Sequence, residues 1–139
     1  MKLLTLILVS FTVRISQLNV TSQSQSDKII GIYYTPKKDG KVQIYKENGK
    51  YYGKTIEADN PRKDIKNPNP NLRDSPIIGL IFLRDFVFKE GEYIDGSIYD
   101  PDNGKTYDCK MWLEGENLKA RGYIGINLLG RTEEFKKVK

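Results

Sequence analysis

The chain has 139 residues, which is enough for one ordinary domain and too few for two. It carries 23 basic and 18 acidic side chains, one cysteine and no histidine. Because the two signs of charge are interspersed along the chain, a role in nucleic-acid binding has little support.

The chain begins with the pattern of a secretory signal peptide. Lys2 supplies the charged start, Leu3–Val13 is an apolar run too short to cross a bilayer as a helix, and Arg14 ends it. We predict a signal peptide over residues 1–25, a single domain over 26–139, and a periplasmic or secreted location. The alternative is a membrane-associated or disordered N-terminus.

Three strands are predicted in the first half. Ile29–Thr35 is rich in β-branched and aromatic residues, and Val42–Glu47 alternates with the period of a half-buried strand. Asn48-Gly49 tolerates the positive φ angles of a two-residue hairpin, so Tyr51–Ala58 returns as the third strand.

A long loop, Asn60–Pro76, then interrupts the strand pattern. It holds four of the six prolines. Because proline has no backbone N–H to donate and restricts the backbone conformation of the residue before it, no regular strand or helix is expected here. A connection of 17 residues is unusual in a compact domain and is often functional. A plain crossing loop is the alternative.

Five more strands follow. Ile77–Phe88 is the most apolar segment, and its β-branched and aromatic content favours a strand bent near Arg84-Asp85 over a helix. In the next strand we expect Ile94, Gly96 and Ile98 to share one face. The last four strands are predicted over Tyr93–Asp100, Thr106–Leu113, Leu118–Ile124 and Arg131–Val138.

Eight strands at short spacing predict an all-β fold, an eight-stranded antiparallel up-and-down barrel of the lipocalin/calycin type. The interior of such a barrel just fits side chains or one small ligand.

The only cysteine, Cys109, alternates with apolar residues and is expected to be a buried structural thiol. A catalytic thiol would need a neighbouring base, usually histidine, which this chain lacks.

Four sequence blocks have a specific combined spacing. They are Gly49–Lys54; Asp64, Asn67-Pro68, Leu72-Arg73, Pro76 and Gly79-Leu80; Gly96–Tyr107; and Arg121–Thr132. Together they resemble the bacterial exported family known as domain of unknown function 2147, over roughly 31–138. Tyr33 and Phe135 stand where that family pattern has tryptophan. The resemblance implies an exported protein with a lipocalin-like barrel and no established activity.

Candidate ligand residues lie in the closing segments and are Tyr99, Tyr107, Arg121 and Tyr123. Arg121 and Tyr123 share a strand face opposite Leu118 and Ala120. They point outward if the apolar set faces the core and line the cavity otherwise. In the second case, arginine would bind a carboxylate or phosphate head group and tyrosines would form the walls.

The long loop adds Asp64, Asn67 and Arg73 as residues that either cap a barrel mouth or satisfy the loop's own backbone through Asx turns. The turn interpretation is favoured. By analogy with lipocalins, Arg131 is expected to lie over Tyr33 in a structural role. The Asp100–Gly104 segment does not match a calcium loop in its glycine position or its missing glutamate, so we expect no metal.

Common enzyme motifs are absent from the sequence. We expect a non-enzymatic exported barrel that binds a small amphipathic or anionic ligand, with no cofactor, no nucleic acid and no transmembrane span in the mature form. Two alternatives stay open. One is an envelope protein-interaction module with a packed core that uses the 60–76 loop, and the other is a hydrolase or isomerase with interior carboxylates.

Overall fold

The computed structural model describes residues 25–126 and 129–139. Eight strands form one antiparallel sheet in chain order, which confirms the all-β, up-and-down prediction. The strands are β1 Gly31–Tyr34, β2 Gly40–Glu47, β3 Lys50–Ala58, β4 Ile81–Lys89, β5 Glu92–Asp100, β6 Lys105–Glu114, β7 Asn117–Tyr123 and β8 Gly130–Phe135. The predicted signal peptide lies outside the described residues except for Gln25. In the described part of the chain, no helix is long and apolar enough to cross a membrane.

Backbone angles explain where the strands turn and bend. Asn48 and Gly49 both have positive φ, 49° and 78°, as the two-residue hairpin requires. Asp85 has φ 64° in the middle of β4, so the predicted bend near Arg84-Asp85 is confirmed. The bend lets Leu83 and Phe86, three residues apart, both be fully buried.

The fourth strand begins four residues later than predicted. Gly79 has φ 92°, which an extended strand does not allow, and its N–H donates to the Thr55 carbonyl. The Ile77 N–H donates instead to the Arg62 carbonyl. Residues 77–80 therefore belong to the connection from β3, although Ile77 itself is buried.

A bulge in β5 corrects the predicted inner face of that strand. The register shifts between Tyr93 and Gly96, and Asp95 has φ 60°. As a result Tyr93, rather than Ile94, faces the core together with Gly96. A side chain at Gly96 would collide with the buried ring of Phe86.

The core fills one end of the curled sheet. Its aromatic centre is Tyr33, Tyr51, Phe86 and Tyr93, and all four are at most 2% exposed. A short 3-10 turn, Asp27–Ile29, covers this end. Three tyrosine hydroxyls hold it: Tyr33 donates to the Ile29 carbonyl, Tyr93 to the Ser26 carbonyl and Tyr51 to the Asp27 carboxylate. We call this the plugged end.

The two edge strands are brought together by the residues that follow β8. The Tyr34 N–H donates to the Lys136 carbonyl over 2.8 Å, and the Val138 N–H donates to the Ile32 carbonyl over 3.0 Å. Tyr33 and Lys137 form an antiparallel bridge between these bonds. The residues that meet β1 lie beyond β8 itself, which ends at Phe135.

Candidate functional site

The end of the sheet opposite the plugged end carries the β1–β2, β3–β4, β5–β6 and β7–β8 connections, and we call it the mouth. Its inner face follows from the register of β6–β8. Cys109 is buried and lies opposite Gly122, which lies opposite Arg131. Opposite residues share a face, and residues two apart on a strand do too. Tyr107, Gly122 and Arg131 therefore face inward at the mouth.

Solvent reaches this inner face. Glu133 and Arg131 lie two and four residues before the buried Phe135 and therefore share its inward face of β8. Their side chains are nevertheless 34% and 80% exposed. They form an ion pair, with Arg131 Nε 2.8 Å from Glu133 Oε1. The remaining guanidinium N–H groups of Arg131 have no protein partner within the described residues. The inner face is thus packed at the plugged end and open on the β6–β8 side of the mouth.

Tyr107 is the predicted ligand residue that the structure places on this open inner face. It is half-buried, and its hydroxyl accepts a hydrogen bond of 2.8 Å from Asn103 Nδ2 in the β5–β6 turn. Ile98 lies directly opposite Tyr107 and is also half-buried. An apolar floor with one fixed aromatic hydroxyl and a charged rim suits an amphipathic molecule.

Arg121 and Tyr123 lie on the outer face of β7. Leu118 and Ala120, which precede Arg121 and alternate with it, are at most 1% exposed, so the apolar set faces the core. Arg121 Nη1 donates to Thr132 Oγ1 across to β8 over 3.1 Å. Of the two orientations left open by the sequence, the structure shows the outward one. A ligand role for either residue stays a prediction.

The cation over Tyr33 is Lys137, whereas Arg131 lies at the mouth. Lys137 Nζ is 4.8 Å from the centroid of the Tyr33 ring and donates to the Ile30 carbonyl. A side chain at Gly31 would collide with the lysine. The expected cation-on-aromatic contact between the first strand and the C-terminal segment therefore exists, with a different residue. No signal in the sequence indicates this role, because Lys137 falls inside the predicted strand Arg131–Val138, where it is one of several lysines, whereas β8 ends at Phe135.

Four predicted residues meet in one hydrogen-bonded cluster that attaches the long loop to β5. Tyr99 donates to Asp64 Oδ1 over 2.7 Å, and Asn67 Nδ2 donates to Asp64 Oδ2 over 2.8 Å. Arg73 Nε donates to the Asn67 carbonyl over 2.8 Å. Asp64 is 1% exposed, so both carboxylate oxygens are satisfied inside the protein. Asn67 Oδ1 also accepts from the Asn69 N–H as an Asx turn, in agreement with the turn interpretation.

The raised pKa values of Tyr99 and Cys109 agree with structural roles for both residues. Burial, aided by the hydrogen bond to Asp64, raises the pKa of Tyr99 to about 12. Burial raises the pKa of the Cys109 thiol to about 12, so it is protonated and unreactive at neutral pH. Among the described residues, no three metal-ligating side chains gather into a potential metal site.

Comparisons with known proteins agree with this fold. No curated protein has a sequence that matches this chain. The chain is similar to the solved structure of protein HP1028 from the human pathogen Helicobacter pylori, which is described as belonging to the lipocalin family. The two chains are 27% identical, with a TM-score of 0.72, over 80% of this chain and 83% of the other. A family model matches residues 31–137, and the chain belongs to the uncharacterized proteins conserved in bacteria, DUF2147.

Proposed function

We propose that this protein is a non-enzymatic, exported barrel that holds a small amphipathic anion at its mouth. The observation that carries the proposal is the exposure of inward-facing side chains. Arg131 and Glu133 point to the interior of the sheet, and solvent reaches both. A packed interior would leave no room for water at these positions.

The proposal includes closure of the sheet into a barrel. The two backbone hydrogen bonds between β1 and residues 136–138 support it, as does the likeness to a lipocalin. Closure gives the ligand a wall on every side and gives β1 and β8 no free edge. The packed tyrosines of the plugged end close the bottom of the proposed barrel.

The ligand class follows from the lining. The carboxylate or phosphate of the ligand binds the free guanidinium N–H groups of Arg131. Its apolar part lies against Ile98, Tyr107 and the bare backbone of Gly122. A Cβ atom at Gly122 would lie 3.1 Å from Ile98 Cγ2, so the Ile98 side chain already packs against Gly122. The ligand therefore lies on the solvent side of these two residues.

The experiment compares two arginines on opposite faces of the sheet. Dodecanoate is titrated into 15N-labelled protein, and the amide shifts of Tyr107, Gly122 and Arg131 are followed. We expect saturable shifts at these amides and affinity at least tenfold weaker in Arg131→Gln, because a charge-assisted hydrogen bond is lost. Arg121→Gln should bind as the unsubstituted protein does. Loss in Arg121→Gln alone would instead support the outer face, and no shift at the mouth would contradict the proposal.

A further inference from the structure

On the outer face of the sheet, at the mouth, a cleft of about 230 Å³ lies between the long loop and strands β4–β6. The strands contribute Ile81, Phe82, Arg84, Ser97, Tyr99 and Thr106. Ser97 and Tyr99 alternate with the inward-facing Gly96 and Ile98, so the cleft opens on the outer face of the sheet. Its contents therefore do not depend on the ligand proposed for the interior.

The strand side of the cleft holds polar groups with no protein partner. Within the described residues, Arg84 makes no ion pair or hydrogen bond, and the hydroxyls of Ser97 and Thr106 make none. Arg84 lies directly opposite Ser97, and Thr106 lies opposite Tyr99, so these groups occupy neighbouring strands. The lining of the cleft thus offers a cation and two hydroxyl donors and includes no carboxylate.

The nearby carboxylates do not line the cleft. Asp64 accepts from Tyr99 and Asn67, and Asp85 accepts from Tyr52. Asp108 lies opposite Ser97 on the neighbouring strand β6 and does not line the cleft. Among the described residues that line the cleft, Arg84 is the only charged one.

The loop side of the cleft is mostly apolar. It is formed by Pro68 and Leu72, with Leu80 at the end next to β4 and the Asn67 amide already engaged. Leu72 keeps 45% of its surface exposed although it lies on the sheet side of the loop. The hydrogen-bonded cluster of Asp64, Tyr99 and Asn67 holds this wall in place.

We propose that this cleft is a second binding site, for a small carboxylate with a short apolar chain. The carboxylate binds Arg84 and the Ser97 and Thr106 hydroxyls, and the chain lies against Leu72 and Ile81. The cleft is smaller than the roughly 300–1,000 Å³ of sites for drug-sized ligands, so a chain of about eight carbons suits it.

The test is a titration of the 15N-labelled protein with octanoate, with inorganic phosphate and 1-octanol as separate probes. We expect saturable octanoate shifts at the amides of Leu72, Ser97 and Thr106, and affinity at least tenfold weaker in Arg84→Gln. Lys110→Gln removes a charge from the outer face of β6 away from the cleft and should leave these shifts unchanged. Both substitutions are on the surface, and an unchanged amide spectrum elsewhere verifies folding.

Four outcomes would overturn the second site. Equal affinity for octanoate and 1-octanol would show that Arg84 does not hold the head group. Equal affinity for inorganic phosphate would show an anion site without an apolar part. Octanoate shifts confined to Tyr107 and Gly122 would place all binding at the mouth, and an Arg84→Gln protein that binds normally would exclude Arg84.

Discussion

The side chain of Lys137 joins the C-terminal segment to the first strand. Its ammonium lies over the Tyr33 ring and donates to the Ile30 carbonyl. Lys137→Met keeps the aliphatic stem and removes the charge, so we expect the protein to lose about 1 kcal/mol of stability. Urea unfolding measures this. Lys139→Met, two residues further on and exposed, should change stability by less than about 0.5 kcal/mol. Equal effects would contradict a specific contact.

Buried tyrosines predict a loss of stability at alkaline pH. Burial raises the pKa of Tyr33 and of Tyr99 to about 12, from an ordinary value of 10.0. The folded protein holds these phenol protons more tightly than the unfolded chain does, so stability is fully present below pH 10 and falls as pH rises towards 12. Urea midpoints at pH 9, 10 and 11 should decrease in that order. A constant midpoint would contradict the burial of these phenols.

The substitution Tyr33→Phe removes the hydroxyl and keeps the ring, so it isolates the contribution of the hydroxyl to stability. At pH 7 it should cost about 1 kcal/mol, because the buried Ile29 carbonyl loses its donor. Above pH 10 its stability should fall less steeply than that of the unsubstituted protein, since one of the shifted phenols is gone. Parallel pH profiles would show that Tyr33 does not contribute to the alkaline loss.

Substitutions at two residues of the N-terminal segment test whether the Asp27–Ile29 turn is part of the folded core. Ile29 is fully buried in the 3-10 turn, whereas Ile30 is 41% exposed. Ile29→Ala should destabilise by about 2–5 kcal/mol through the cavity it leaves, and Ile30→Ala by less than about 1 kcal/mol. Urea unfolding of both variants measures the difference. Similar losses would mean that the turn is not seated as described.

The long loop is attached to β5 through Asp64. A double-mutant cycle with Asp64→Asn and Tyr99→Phe should show a coupling of about 0.5–3 kcal/mol, because the two side chains share a buried hydrogen bond. Asp74→Asn is the matched control, since its side chain is 96% exposed, and it should show no coupling to Tyr99→Phe. Additive effects of Asp64→Asn and Tyr99→Phe would contradict the cluster.

Strand order was predictable because each strand has a local signal, such as the period of two or the Asn48-Gly49 turn. The inner face of a strand was not always predictable, because one extra residue reverses the alternation. The bulge before Gly96 brought Tyr93 inward and shifted Ile94 out of phase. The meeting of Asp64 with Tyr99, 35 residues apart, depends on how the loop crosses β5, which no local pattern encodes.

The whole molecule has an inner face that is packed at one end and open at the other. The aromatic cluster and the Asp27–Ile29 turn close the plugged end, while Arg131 is exposed at the mouth. The family match and the likeness to a lipocalin agree with this all-β fold.

The most direct measurement is a crystal structure of the protein soaked with 12-bromododecanoate, with the bromine located by anomalous scattering. We expect the bromine on the inner face of the sheet, with the carboxylate at Arg131. A bromine signal only on the outer face, or an interior filled by side chains up to the mouth, would contradict the account.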